Sequence, residues 1–448
     1  MEILFRVNKN TYAMPSYGVA ISSQKTELSD VAAKEISEKI IKNEKPLIEM
    51  HDNTHDFKPY KQDFRTDVEI SLTNDCNMLC KYCYCSSGGY KNQYLSKSNI
   101  ETIIQQLYKN AELSKLSGQN ETIVKVVVSG GGEPTLAWNQ IKHLVNTLNK
   151  FKHSTNIDYN LHITTNGVFS DQKAHYLSEN FHDIQISFDC AEDIQNVQRP
   201  MFDGSPSYDY VKRTLDYFDE NEIAYRVNTV VSPEYYARLF DMVKGLLTAH
   251  KNIKEVHVAM CSFGGRATSI LDIKKNAGTF INNYLKVKKY FANHKVQITC
   301  SSISLKPRPH YCEHILRTGS YIDANGYIVP CPQKIDIETY GIGNINYPKL
   351  YTVNEKAFYN EWYKPMLACC NDCLAYYYCG GGCPVDMKRH PDGSYVKNES
   401  YILCSLKRNL FAGIIQQIVD GNPPRWVVAQ PLRHYSSSSI KVVSYREI

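Results

Sequence analysis

The stretch VEISLTNDCNMLCKYCYCSS (68–87) begins as a β-branched run and turns into a cluster of thiols. VEISLT (68–73) reads as a strand, and the segment that follows places Cys76, Cys80 and Cys83 with three and then two residues between them. Thiols grouped this tightly at the end of a strand suit a metal, since thiolates are the ligands of zinc and of iron–sulfur clusters. A 4Fe–4S cube takes one thiolate per iron, so three thiolates leave one iron open. A structural zinc would need four protein ligands. Cys85 is the fourth thiol at hand, and it is so close to Cys83 that a tetrahedron would be cramped.

The chain on either side repeats one unit. After residue 67 the strands 68–73, KVVVSG (125–130), NLHITTNG (160–167), DIQISFD (183–189), IAYRVNTVV (223–231) and EVHVAM (255–260) alternate with amphipathic stretches such as KSNIETIIQQLYKN (97–110) and LAWNQIKHLVNTLNKF (136–151). Val- and Ile-rich strands separated by helices of about 10–16 residues predict βα units and a parallel sheet. Six units over 67–262 fall short of the roughly 250 residues of a full eight-fold barrel. The expected fold is therefore α/β, a partial (β/α)6 TIM-like barrel, with the cysteine loop at its C-terminal rim. Residues 1–66 read as two strands, a helix near 29–42 and a polar approach, a possible site of substrate or leader contact. Residues 263–311 read as a bridging helix (278–291) and linker. Pro, Gly and Cys crowd 312–404, where a core could be inorganic. Residues 405–448 read as a closing helix (407–419) and a flexible tail containing SSSS (436–439).

Composition narrows the class. The 448 residues carry a net charge of +5 and are 22% charged, too mild a basic excess to argue for nucleic acid. The N-terminus has no signal-peptide core, and no stretch approaches the run of about 20 apolar residues that spans a bilayer. A cytoplasmic, membrane-free protein is expected. Its 15 cysteines then point to metal rather than to disulfides, because that compartment keeps thiols reduced.

Cys-x3-Cys-x2-Cys after the first strand resembles the radical S-adenosylmethionine (SAM) superfamily. SGGGEPTL (129–136) after the second strand matches the family's GGEP motif, while TTNG (164–167), SFD (187–189) and QRP (198–200) fall in order at later strand ends. The resemblance implies that Cys76, Cys80 and Cys83 hold the catalytic, SAM-binding 4Fe–4S cluster. It gives the SAM amino group to Gly131, Gly132 and Glu133. Ribose or carboxylate contacts go to Ser187, Asp189 and Arg199 with Asn166 nearby, and the adenine to Tyr82. Many relatives have His-Asp where this chain has Gln195-Asn196, which leaves the ribose contacts open. A glycine-rich phosphate loop is the bland reading of SGGGEP, and it lacks the GK[ST] that would follow.

Cys312 is followed by Gly326 and Cys331, then by Cys370, Cys373, Cys379 and Cys383, and finally by Cys404. The intervals resemble the SPASM domain, whose pattern they match at all seven cysteines. The resemblance implies two auxiliary 4Fe–4S clusters, three in all: an outer one on Cys370, Cys373, Cys379 and Cys404, and an inner one on Cys312, Cys331 and Cys383. The inner cluster thus lacks a fourth ligand. Cys300 could supply it, or an iron stays open to a substrate donor. Cys85, Cys190, Cys261 and Cys369 fall outside both patterns and read as small apolar packers.

The family chemistry would be reductive cleavage of SAM to a 5′-deoxyadenosyl radical, followed by hydrogen abstraction from the substrate. Relatives with two auxiliary clusters mostly act on peptides. The expected enzyme is a peptide maturase that closes an intramolecular thioether, ether or carbon–carbon cross-link in a small ribosomally made precursor peptide. It would be served by a flavodoxin- or ferredoxin-type electron donor and possibly by a separate leader-binding protein. The alternative is an anaerobic sulfatase-maturating enzyme, which makes formylglycine. In those relatives an aspartate base follows the Gx4C cysteine, whereas here Pro332 follows Cys331. A non-catalytic metal-stabilised binding or electron-transfer protein is a more distant reading, with no need of GGEP.

Overall fold

The structure, a computed structural model, describes residues 4–23, 27–44, 65–118, 122–261, 265–267, 271–300, 321–329, 331–332, 343–346, 370, 373–381, 397–421, 427–432, 436–437 and 439–447. The six expected parallel strands are β4 (Asp67–Ile70), β5 (Val124–Val128), β6 (Tyr159–Thr165), β7 (Asp183–Ser187), β8 (Tyr225–Val231) and β9 (Ile253–Met260). Between them run the helices α2 (Lys97–Leu116), α3 (Trp138–Thr155), α4 (Asp171–Asn180), α5 (Glu192–Gln198), α6 (Tyr208–Glu220) and α7 (Leu239–Ala249). Helix starts follow local chemistry. Ser96 Oγ accepts from Asn99 N–H and Ser170 Oγ from Lys173 N–H, satisfying donors that the helix itself cannot.

The sheet does not stop at six. Beyond α8 (Leu271–Tyr290), β10 (Gln297–Cys300) pairs parallel to β9, inside the segment expected to be a linker. On the other side β11 (Tyr321–Ile322) pairs parallel to β4 and leads into the antiparallel β12 (Tyr327–Val329) and β13 (Gly343–Asn344). The order is β10-β9-β8-β7-β6-β5-β4-β11-β12-β13. The cysteine-rich region is thus joined to the barrel by backbone hydrogen bonds at its first strand.

Successive side chains alternate across this sheet. Val68, Ile70, Val126, Val128, Ile163, Ile186, Val227 and Val256 pack with the helices in one continuous core. The opposite face carries Glu69, His162, Asp183, Arg226, Asn228, Glu255, His257 and Thr299, all partly open. Several of these bind one another. Asp183 pairs with Arg226 and with Lys254 (2.9 Å), and Thr299 Oγ1 donates to Glu255 (2.6 Å) beside His257 (2.8 Å). A filled TIM barrel puts branched aliphatic layers in that position, so here the inner face is polar.

The two ends of the chain share a second sheet. β1 (Phe5–Asn8), β2 (Thr11–Met14) and β3 (Val19–Ser23) form an antiparallel meander packed on α1 (Asp30–Asn43). β14 (Val427–Pro431) and β15 (Ile440–Glu447) complete it, with β15 paired to β3. The tail expected to be flexible is therefore partly strand, because its alternating IKVVSYRE finds an apolar face to cover. Val442 is fully buried with Ile21, Met14 and Ile40. Helix α9 (Tyr376–Cys379) and helix α10 (Lys397–Val419) connect this sheet to the rest. Tyr378 stacks on Phe411 at 4.9 Å and donates to Pro15 O at 2.8 Å. No helix among the described residues is long and apolar enough to cross a membrane.

Ile21→Ala removes a fully buried side chain from β3 and is expected to cost about 2–5 kcal/mol. Urea denaturation followed by fluorescence measures the loss.

Candidate active site

The cysteine loop leaves β4 at the C-terminal rim with little regular structure and is pinned from three sides. Cys76 and Gly89 exchange both backbone hydrogen bonds (3.0 and 2.9 Å). Leu79 N–H donates to Pro200 O (2.9 Å) and Lys81 N–H to Gln198 O (2.8 Å), tying the loop to the end of α5. Arg266 closes the third side. Its Nε donates to Cys80 O (2.7 Å), its Nη1 to Ser87 O (2.6 Å) and its backbone N–H to Cys83 O (3.1 Å). A Cβ on the preceding Gly265 would stand 2.1 Å from Cys83 O, so only glycine lets this segment lie against the loop. Sequence reasoning missed Arg266. The paired glycines before it were the available signal.

A buried charge network stands behind the loop. Asp189 is fully buried and accepts from Tyr82 OH (2.7 Å), Gln198 Nε2 (2.8 Å) and Val230 N–H (3.0 Å). Arg199 Nε lies 3.4 Å from Asp189 Oδ2 without hydrogen-bonding geometry. Its guanidinium sits 5.3 Å from the Tyr82 ring centroid, and its Nη1 approaches Cys80 Sγ at 3.9 Å. Burial raises the Asp189 pKa, and Arg199 opposes the rise. Asp189 thus orients Tyr82 and Arg199 rather than facing open space. Gln195 belongs to the same frame: its Oε1 accepts from Asp189 N–H (2.9 Å) and its Nε2 donates to Ser207 Oγ (3.0 Å).

The glycine turn fits against the strand end that feeds the loop. Gly132 N–H donates to Thr73 O (2.8 Å) and Glu133 N–H to Asp75 O (2.7 Å). A Cβ on Gly132 would meet Asp75 O at 1.9 Å, and one on Gly131, where φ is +61°, would meet Ser71 Oγ at 2.0 Å. The Glu133 carboxylate is buried and accepts from Thr135 N–H (2.9 Å), Thr135 Oγ1 (2.7 Å), Thr165 Oγ1 (2.6 Å) and Asn166 N–H (2.7 Å). It ties the second strand's end to the third. Asn166 Nδ2 reaches Asn77 Oδ1 in the cysteine loop (2.7 Å). Ser187 ends β7 opposite Asn228, whose Oδ1 is buried without a partner.

This donor set fits a cluster. Burial pushes the Cys76 thiol up to about 12, with the Glu133 charge adding to the rise. Burial also raises Cys80, against the pull of Arg199. Protonated thiols of this kind give up their protons when a metal binds. Among the described residues no three His, Cys, Asp or Glu groups close around a single ion. A cube asks for something different, one thiolate per iron. The orphaned Arg199 Nε and Asn228 Oδ1 provide a donor and an acceptor for a polar ligand at the same rim.

The radical SAM superfamily profile matches residues 70–238. Residues 70–238 are a radical SAM domain. The chain is similar to the cysteine-type anaerobic sulfatase-maturating enzyme of Clostridium perfringens, at 24% identity over 36% of this chain and 42% of that enzyme's length. In fold it resembles anSMEcpe crystallised with AdoMet and the Cp18Cys peptide, with a TM-score of 0.59, 18% identity, and coverage of 79% of this chain and 99% of that one. It also resembles SuiB of Streptococcus suis bound to S-adenosylmethionine, with a TM-score of 0.51, 17% identity, and coverage of 86% and 95%. The profile match implies a 4Fe–4S cluster and SAM for residues 70–238.

Of the second cysteine set, Cys312 and Cys383 lie outside the described residues. Burial raises the Cys373 and Cys404 thiols; the nearby Cys379 adds to both rises and Cys373 to that of Cys404, with Arg408 opposing. Cys370 Sγ is 4.0 Å from Gly381 O, beside the positive-φ glycines Gly380 and Gly381. Cys331 lies across the rim, near Cys85. Cys300 is buried in the main core near Tyr236 and Cys261. Cys190 is a buried packer.

Asp189→Asn leaves Arg199 without its buried counter-charge and is expected to cost about 3–5 kcal/mol, read by chemical denaturation. Arg266→Ala removes both side-chain hydrogen bonds to the cysteine loop, those to Cys80 O and Ser87 O. Anaerobically reconstituted protein should then lose iron to a chelator at least about tenfold faster than wild type, measured by release kinetics.

Proposed function

We propose that the chain is a peptide maturase of the radical SAM–SPASM type, which forms an intramolecular thioether, ether or carbon–carbon cross-link in a ribosomally made precursor peptide. Gly131, Gly132, Asn166, Ser187 and Arg199 bind SAM at the rim, with Tyr82 beside them and Glu133 and Asp189 holding them in position. Bound there, the reduced cluster and SAM supply a radical able to remove hydrogen from an unactivated carbon. The protein's part is to hold the target carbon at the rim and exclude water from it. The two auxiliary clusters on the seven later cysteines take up the electron released as the bond closes. A flavodoxin- or ferredoxin-type protein delivers the first electron in the cytoplasm. The sheet shared by the chain ends, or a separate protein, receives the leader.

Pro332 carries the choice between peptide chemistries. It follows Cys331 where sulfatase-maturating relatives are expected to place an aspartate base. A proline accepts no proton, and it lines the cavity facing the cysteine loop. The sulfatase-maturating reading remains the second choice, favoured by the likeness to the Clostridium perfringens enzyme.

Incubation with reduced enzyme, SAM and a precursor encoded beside the gene should release deoxyadenosine. It should also lower the peptide mass by about 2 Da for each ring, with no labelling by an aldehyde-reactive hydrazide. A hydrazide-labelled sulfatase peptide would select the alternative. Absence of deoxyadenosine with either peptide would defeat both.

A further inference from the structure

Parallel pairing sets four polar residues of the barrel's inner face in one row. Ser187 of β7 stands opposite Asn228 of β8, Asn228 opposite His257 of β9, and His257 opposite Thr299 of β10. Neighbouring strands lie about 4.8 Å apart, so each of these side chains is within reach of the next. One row below, Gln185, Arg226, Glu255 and Gln297 repeat the arrangement.

Hydrogen bonds between the rows fix one tautomer of His257. Thr299 Oγ1 gives its proton to Glu255 Oε1 (2.6 Å), whose other oxygen lies 3.8 Å from Arg226 Nη1. The same Oγ1 must then accept from His257, whose Nδ1 is 2.8 Å away. A proton on Nδ1 leaves the lone pair on Nε2. Among the described residues only Nδ1 of this ring is hydrogen-bonded. Burial lowers the His257 pKa, with Glu255 opposing and Arg226 adding to the fall, so the ring is held neutral. A network that only braced the wall would be satisfied at every member. This one keeps a lone pair free on Nε2 and, next to it in the row, an unpaired buried Asn228 Oδ1.

A basic nitrogen on this wall meets a need of the chemistry. Closing a cross-link removes two hydrogens from the peptide. One leaves as an atom and the other as a proton and an electron, yet Pro332 stands where a carboxylate base would take the proton. We propose that His257 Nε2 is the proton acceptor of the ring-closing step, oriented by Thr299 and Glu255. The inference rests on the peptide-maturase reading. As the new bond to the target carbon forms, the S–H, O–H or C–H bond of the joining group breaks. Its proton goes to Nε2 and one electron goes to an iron–sulfur cluster of the protein. The other hydrogen has by then left the target carbon for the radical that SAM supplies. His257 thus touches the joining group of the peptide, two strands from Ser187 at the SAM-binding side of the row.

The test uses the full chain, reconstituted anaerobically, with SAM, dithionite and the precursor encoded beside the gene. Rings closed are counted per deoxyadenosine released. His257→Ala should lower that ratio about 100-fold, and added imidazole should restore it about tenfold. His257→Gln fills the same space but takes no proton, and should show the same deficit. Thr299→Val, which deprives Nδ1 of its acceptor, should lower the ratio about tenfold, while Thr299→Ser should match wild type. A second readout needs no turnover. Diethyl pyrocarbonate acylates unprotonated imidazole nitrogen, so mass mapping should find His257 modified in the free enzyme and protected once precursor and SAM are bound. Wild-type ratios in His257→Gln and Thr299→Val would overturn the assignment, as would a His257→Ala deficit that imidazole leaves unchanged or a modification that the precursor does not slow. Wild-type enzyme that releases deoxyadenosine but closes no ring would overturn the maturase reading, and this assignment with it.

Discussion

Three thiols have to be presented from a segment that makes almost no secondary structure of its own, and everything at the rim depends on how that segment is held. An irregular loop of this length would sample many conformations. Here Gly89, the end of α5 and Arg266 each fix part of its backbone. The thiols are therefore placed by groups distant in sequence. These tethers offset part of the cost of ordering the loop.

A second layer fixes those groups in turn. Asp189 and Glu133 are buried carboxylates at the ends of neighbouring strands, each surrounded by donors. Neither faces solvent, and burial alone would push both towards the neutral form. Hydrogen bonds keep the ionised form affordable and make each carboxylate a staple between elements. The motif residues expected to touch a ligand thus divide into two kinds. Arg199 and Ser187 stand at the rim, while Glu133 and Asp189 brace it.

Much of this was legible in the sequence where periodicity was strong. The six parallel strands were placed to within a few residues, because β-branched runs between amphipathic helices have few other outcomes. β10, of four residues, gave no such signal, nor did β11–β13. The pairing of β3 with β15 could not be read at all: strand addition between distant segments leaves no local trace, and the serines at 436–439 suggested a loose tail. In the site, spacing identified the thiols and glycines. It did not reveal that Gln195 and Gln198 hold Asp189, that Arg266 clasps the loop, or that Cys85 reaches Pro332 O across the rim. Those facts depend on which side of a loop each side chain leaves.

The shared sheet has a consequence for how the molecule is made. Ser23 is paired with Ile440, so more than 400 residues must emerge from the ribosome before β3 gains β15 as its neighbour. Until then the early meander presents a bare edge, the kind of surface that invites mispairing with other nascent chains. The barrel, built from consecutive units, can assemble during translation. The clasp at its side must wait for β15, and that edge is where a chaperone would be most useful.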